Sequence, residues 1–351
     1  MIAILTSGVA LGVHVPGLLL SRRLKELGTA CRVDVLESCL RMEKQAMVRR
    51  SKQAFHRNFR VALAGQRIAK ARDMMADVDD DALKRVLASW EMGRVTHFVI
   101  LSGFWQPIVR RYRQTHLGVS VDLCHIDSVV SPSFLATERL PDARDIWMAQ
   151  HESGTLPFSI PVSYQSPVPW QARSSRVLAH GGGWGLGHYA DHAKTLAERH
   201  VDMDIVAYYP DDEHDERCRY FMIDPDWCSW QDEGFPPFGE VSTKVPTHFA
   251  RRDDYHDAFE LERHAIGILS KPGGGTLLDS LWSATPLIFV EPFGPHERCN
   301  AELWQRLGLG VSLEDWLQQD CSLELLAELH RNLMNRRALA VDYARALSMP
   351  V

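Results

Sequence analysis

The stretch 266–300, IGILSKPGGGTLLDSLWSATPLIFVEPFGPHERCN, constrains the fold more than any other. Ile266 to Leu269 is a short apolar run that reads as a buried strand. Ser270 to Thr276 is a tight glycine-rich loop, Leu277 to Ala284 has a helical pattern, and Pro286 stops it. Leu287 to Val290 then makes the next strand. Strand, glycine loop, helix and strand form one turn of a parallel α/β unit. Glycines let backbone approach a ligand closely, and the free amides of a helix N-terminus attract a diphosphate. Lys271, Gly273, Gly274, Gly275 and Thr276 are therefore the candidate diphosphate-binding residues.

Asp279 lies three residues after Thr276, one helical turn inside, facing back towards the loop mouth. A carboxylate there can accept hydrogen bonds from both ribose hydroxyls of a nucleotide. Glu291 to Pro295 follows the second strand, and His296 to Asn300 opens the next helix. Ligands of open α/β sheets bind at the carboxyl ends of strands. His296, Glu297 and Asn300 are thus placed to hydrogen-bond the hydroxyls of a sugar.

SKPGGGTLLDSLWSATPLIFVEPFGPHERCNAEL resembles the donor motif of GT-B glycosyltransferases. The resemblance is to the branch with monogalactosyldiacylglycerol synthase, the processive diacylglycerol glucosyltransferases and the lipid II-forming N-acetylglucosaminyltransferase. Asp279 stands where that branch has Glu, Ala284-Thr285-Pro286 where it has Gly-x-Pro, and His296 where it has Gln. Near the start, Gly12-Val13-His14-Val15-Pro16-Gly17-Leu18 resembles the family's Gly-His-Val-x-Pro-x-Leu, with Val13 inserted.

The resemblance implies an α/β fold of GT-B architecture, with two Rossmann-like parallel-sheet domains facing across a cleft. It implies an inverting, metal-independent transferase with no bound cofactor and a UDP-sugar as co-substrate. His14 is the candidate base, with capping of its helix as the alternative role, and Gly12 stands on the acceptor side. The loop Gly181 to Gly187, with Gly182 and Gly183, borders the donor diphosphate from the other side. The acceptor is a small molecule or a lipid.

At 351 residues the chain has room for two domains, and its 45% hydrophobic and 24% charged residues are an ordinary globular balance. A net charge of −6 gives no general attraction to nucleic acid. Seven cysteines without a Cys-x-x-Cys pair indicate neither a zinc site nor a disulfide framework, which fits the cytoplasm. The Asp-x-Asp triplets Asp202-Met203-Asp204 and Asp224-Pro225-Asp226 match the metal-holding pattern of other glycosyltransferases, but such triplets arise readily by chance. No apolar run is long enough to span a membrane.

Taken in order, strands are expected at 1–6 and 31–36, with a loop to His14 and a helix over 15–27. Residues 40–92 form a helical insertion, and 41–72 hold ten basic residues and one acid, Glu43. That segment reads as a solvated surface, or as a contact for an anionic acceptor or for lipid headgroups at the inner membrane face. Strands follow at 96–101 and 119–122. In the loop after the first of these, Trp105 and Gln106 are candidates to touch an acceptor, with Trp105 equally suited to core packing. The first domain spans 1–166 and the second 176–335, joined by a proline-rich linker. Strands are expected at 176–180, 203–208 and 309–312. The last segment, 336–351, is a helix crossing back to the first domain. Residues 129–173 and 210–248 have no clean periodicity.

Two other readings share the fold: a UDP-sugar 2-epimerase or nucleotide-sugar hydrolase, and a non-catalytic sugar-nucleotide-binding subunit. A Rossmann dehydrogenase is disfavoured. No Gly-x-x-Gly continues the fingerprint after Gly12, and the strand expected at 31–36 ends with no clean ribose acid except Glu37.

Overall fold

The computed structural model describes residues 1–60, 62, 74–186, 189–208, 218–242 and 245–349. Its first sheet has the order β2-β1-β3-β4-β5, every neighbour parallel. In sequence it runs β1 (Ile2–Thr6), α1 (Leu11–Glu26), β2 (Cys31–Val35), α2 (Met42–Arg57), α3 (Asp80–Met92) and β3 (His97–Ile100). Then come α4 (Gln106–Arg113), β4 (Ser120–His125), α5 (Pro132–Leu135) and β5 (Arg144–Trp147). The second sheet has the order β12-β11-β10-β6-β7-β8-β9, parallel except for β8 with β9. It runs β6 (Arg176–His180), α6 (Tyr189–Glu198), β7 (Asp202–Ala207), β8 (Cys218–Ile223), β9 (Phe238–Val241), α7 (Ala258–His264) and β10 (Gly267–Ser270). The chain finishes with α8 (Gly274–Ser283), β11 (Leu287–Phe289), α9 (Pro295–Arg306), β12 (Gly310–Ser312), α10 (Leu313–Gln318), α11 (Leu323–Ala338) and α12 (Tyr343–Ser348).

Strands β1 and β10 are buried at every residue, so they read as continuous apolar runs rather than alternating ones. Helix α3 starts where Asp79 accepts the Ala82 amide at 2.8 Å, with Asp80 and Asp81 in its first turn. Helix α8 ends at Ala284, whose φ of 54° is left-handed. The related motif has glycine there, because a side chain in that conformation costs about 1 kcal/mol.

Several expectations are corrected. Helix α1 begins at Leu11, not Val15, so Gly12 to His14 form its first turn. Pro16 is then inside the helix, where its missing N–H leaves the Gly12 carbonyl without a helical donor. Helix α2 stops at Arg57 because Asn58 is extended; residue 61 and residues 63–73 of the basic segment lie outside the described residues. Strands β5, β8 and β9 fall in the two stretches without periodicity. Helix α11 continues through 338, past the expected break at 335. Among the described residues no helix is long and apolar enough to cross a membrane.

One face of the first sheet packs on Trp90, Phe98, Trp105 and Tyr112. The other face carries α1. Its Leu18 and Leu24 belong to an apolar cluster that continues into the second domain through Leu277, Leu281 and Trp282 of α8. Polar contacts close the same seam. Arg23 of α1 is buried, donating to Asp254 at 2.7 Å and to the Pro161 carbonyl at 3.1 Å. Helix α12 returns to the first domain, where the buried Tyr343 hydroxyl donates to Asp122 Oδ2 at 2.6 Å and Ser348 Oγ accepts from Thr29. Tyr343→Phe removes that bond while keeping the ring, and should lower unfolding stability by about 1–2 kcal/mol. Urea denaturation will check this, and no loss of stability would refute it.

Candidate functional site

Two helix N-termini meet in the cleft. Helix α8 is capped by Gly273 with no side-chain bond and no acid in its first turn, and α1 by Ala10 in the same way. Among the described residues, the amides of Gly274, Gly275 and Thr276 have no hydrogen-bond partner. The helices approach so closely that a Cβ added to Gly275 would lie 3.1 Å from the Gly12 Cα. A Cβ on Gly274 would meet Asp127 Oδ1 and the Ile126 backbone at 2.9 Å. Gly183 in turn abuts the Leu11 side chain. These glycines therefore serve the contact between domains as well as open backbone to a ligand. Two facing N-termini concentrate about half a positive charge each.

A cavity of about 120 Å³ opens beside them, lined by Gly12, Gly182, Thr276, Asp279, His256 and Glu262 among others. His256 Nε2 lies 3.1 Å from one Asp279 oxygen, leaving the second oxygen for a ligand. His180 Nδ1 accepts the Gly182 amide at 3.1 Å, which places the proton on Nε2, a buried atom without a partner. Burial lowers His180 to about 4. Glu262 is buried with Oε2 unpartnered, and burial together with the Asp279 charge pushes it well above the usual carboxylate range.

His14 is buried at the cleft, its Nδ1 3.1 Å from Thr6 Oγ1 and its Nε2 sealed without a partner. Burial lowers it to about 4, so it is neutral at pH 7. The loop before α1 is pinned by Glu37, which accepts from the Ser7 hydroxyl at 2.7 Å and the Gly8 amide at 2.6 Å. Glu37 is thus used internally and faces no ribose.

Four expected contacts are corrected. Trp105 is fully buried and donates to the Thr6 carbonyl at 2.7 Å, which makes it core. Gln106 is buried, donating to Thr137 and accepting from the Leu140 amide. Asn300 donates to Asp127 Oδ1 and the Pro272 carbonyl and accepts from the Ser128 amide. Its amide is spent tying β4's end to the glycine loop, leaving nothing for a sugar. Glu297 accepts from Lys271 and from the Phe293 amide, so the two expected ligand-facing charges neutralise each other. His296 is half-buried in the first turn of α9.

The structure also brings in residues that no motif marked. The described part of the basic insertion crosses the cleft. Phe59 packs on Phe293, and His56 Nδ1 lies 3.0 Å from the Gly185 carbonyl. The turn between β8 and β9 reaches back over β1, with Trp227 beside His14 and Trp230 donating to Gln45 of α2 at 3.0 Å. Asp127, His256 and Glu262 have no spacing signal in the sequence. The Asp-x-Asp residues are used internally: Asp204 accepts from Arg176 and Arg219, and Asp224 caps its own turn at the Asp226 amide.

The buried histidines set an acid limit. Unfolded imidazoles take up protons near 6.5, whereas His14 and His180 refuse them until about 4. Their contribution is complete above 6.5 and is lost as pH falls towards 4. Stability should drop by up to about 1.4 kcal/mol per pH unit for each histidine across that window. Urea midpoints at about pH 7 and about pH 5 will check this; His180→Gln should flatten the dependence.

No protein-family model matches the chain, and no curated protein sequence matches it. Solved structures do. The glycosyltransferase SsfS6 of Streptomyces sp. SF2575, in complex with thymidine diphosphate, superposes with a TM-score of 0.58 at 13% identity, covering 99% of each chain. Acinetobacter baumannii MurG gives 0.51 at 13% identity, over 99% of this chain and 97% of that one. The glycosyltransferase VinC, in complex with dTDP, gives 0.56 at 11% identity, over 99% and 98%. The two parallel-sheet domains, matched along their full length, have the GT-B architecture.

Proposed function

We propose that this protein is a glycosyltransferase that moves a sugar from a nucleoside diphosphate to an acceptor hydroxyl or amine. One observation carries the reading: the unbonded amides of Gly274, Gly275 and Thr276 face a second helix N-terminus across the cleft. That pair of termini complements a diphosphate, and it stabilises the negative charge that grows on a diphosphate as it leaves. Lys271 is engaged by Glu297, so the amides supply most of this stabilisation. The free oxygen of Asp279 takes the ribose hydroxyls. His14, neutral at pH 7, accepts the acceptor's proton as the anomeric carbon is attacked from the face opposite the leaving group. Inversion follows from that single displacement. UDP is the first donor nucleotide to test. TDP is the second, because SsfS6 and VinC have been crystallised with thymidine diphosphate.

A second reading, nucleotide-sugar hydrolysis or 2-epimerisation, draws support from Glu262 and Asp279. Two carboxyls lining one cavity, one of them held towards its neutral form, have the make-up of an acid–base pair. Release of free nucleoside diphosphate in the absence of any acceptor would favour hydrolysis over transfer.

Scanning fluorimetry with UDP and TDP tests the donor site. Saturation at a hundred times the dissociation constant should stabilise the protein by about 2.7 kcal/mol, read as a raised melting temperature. Asp279→Ala should weaken nucleotide binding roughly tenfold, since it removes hydrogen bonds to the ribose. His14→Ala should leave nucleotide binding intact and abolish transfer. No thermal shift with either nucleotide would overturn the proposal.

A further inference from the structure

Three side chains with metal-ligating atoms converge where the turn after β5 meets α9. They are His151 of the first domain and Cys299 and Glu302 of the second. Each offers one ligand atom, and these atoms all lie within 4.8 Å of one another. His151 Nε2 is 3.0 Å from Glu302 Oε2. Cys299 and Glu302 are three residues apart on α9, so they share one face of that helix. None of the three is among the residues lining the cleft cavity.

The backbone on both sides is fixed. The His151 amide donates to the Ser128 carbonyl at 2.9 Å, and the Ser128 amide donates to Asn300 Oδ1 at 2.8 Å. Asn300 directly follows Cys299 in the chain. Arg306, one helical turn beyond Glu302, donates to the His151 carbonyl. Gly154 closes the turn with a φ of 67°, and a Cβ there would come within 3.4 Å of the Arg306 guanidinium. The turn and the helix therefore hold the three ligands together from outside the ligand set.

The donor set suits zinc. Imidazole, thiolate and carboxylate are all zinc ligands. Tetrahedral zinc holds a nitrogen and an oxygen ligand about 3.3 Å apart, with a sulfur about 3.5 Å from each. The His151–Glu302 pair needs only to open slightly from 3.0 Å, and the Cys299 sulfur closes in by rotation about its Cα–Cβ bond. The ion pair that zinc replaces is half-exposed, so little stability is lost with it. Arg298 and Arg306 stand nearby. Thiolate and carboxylate together neutralise the dication, so the bound site does not repel them. On binding, the thiol proton passes to solvent, and Nε2 gives up its proton and leaves the ring neutral with N–H on Nδ1. The Glu302 and His151 side chains are 56% and 27% exposed, so the ion enters from solvent and a water completes the fourth position. No Cys-x-x-Cys spacing announces such a site, because one ligand comes from the other domain.

We propose that His151, Cys299 and Glu302 bind a zinc ion that fastens the two domains together. The ion acts outside the cleft cavity and takes no part in transfer chemistry. Helix α9 also carries Glu297 and Asn300, which hold Lys271 and Asp127 at the glycine loop. Zinc on this helix thus steadies one wall of the donor site. The proposal stands or falls independently of the glycosyl-transfer reading.

The full chain, stripped with EDTA, is titrated with cobalt(II), whose bond to a thiolate gives a charge-transfer absorption. The band should grow to one equivalent, and zinc should abolish it. Cys299→Ser should give no band, while His151→Gln and Glu302→Gln should each weaken cobalt binding roughly tenfold or more. All three variants should melt with the parent protein in EDTA. Hydrogen exchange reads the clamp: zinc should slow exchange in 149–155 and 299–306 together, and His151→Gln should remove the protection of 149–155. X-ray absorption at the zinc edge needs no variant, and should show one sulfur among nitrogen and oxygen ligands. A band that survives Cys299→Ser, unweakened binding by His151→Gln, a zinc shell without sulfur, or protection confined to α9 overturns the proposal.

Discussion

The close approach of Gly12 to Gly275 governs the arrangement of this molecule. It brings the positive ends of α1 and α8 together with no acid in either first turn. Such ends repel one another, and something must hold them. The apolar cluster running from α1 into α8 does so, helped by the Arg23–Asp254 ion pair and by Asn300 across the same seam. Asp127 brings a carboxylate from β4's end to the α8 mouth, fixed there by Asn300. Packing energy spent at a distance thus maintains an unbalanced field at one point.

Several buried charges are satisfied by charge or by hydrogen bond: Asp204 by Arg176 and Arg219, Asp122 by Arg144 and Tyr343, and Arg173 by three carbonyls and Thr285. Around the cleft, His14, His180, Glu262 and Trp227 each keep a sealed polar atom without a partner. A sealed polar atom left open beside the cleft costs stability that a ligand bonding to it would restore.

The parallel units were legible because both faces of each sheet are covered. Strands such as Ile2–Thr6 and Gly267–Ser270 then become apolar runs that local pattern alone can find. Strands β8 and β9 were not legible. They lie at the sheet's far edge, β9 runs antiparallel to β8, and prolines and aspartates crowd their connection. The start of α1 runs against local pattern, since glycine and proline are breakers, and the burial of His14, Leu18 and Leu19 outweighs them. Trp105 and Gln106 sat at the right end of a strand for a ligand contact. Whether a side chain turns to the cleft or to the core is a matter of packing that strand position does not specify.

Residues 266–300 fixed on their own account a glycine loop opening a helix between two buried strands, with Asp279 one turn inside. Those features are local, set by backbone freedom and side-chain period over a few residues. The partners of that loop were decided only in the tertiary structure. Asn300 became a tie between domains, Glu297 a counter-charge for Lys271, and Trp227 the neighbour of a histidine more than two hundred residues away. Hydrogen bonds and ion pairs depend on distance in space, and the packing of α1 on α8 creates those distances.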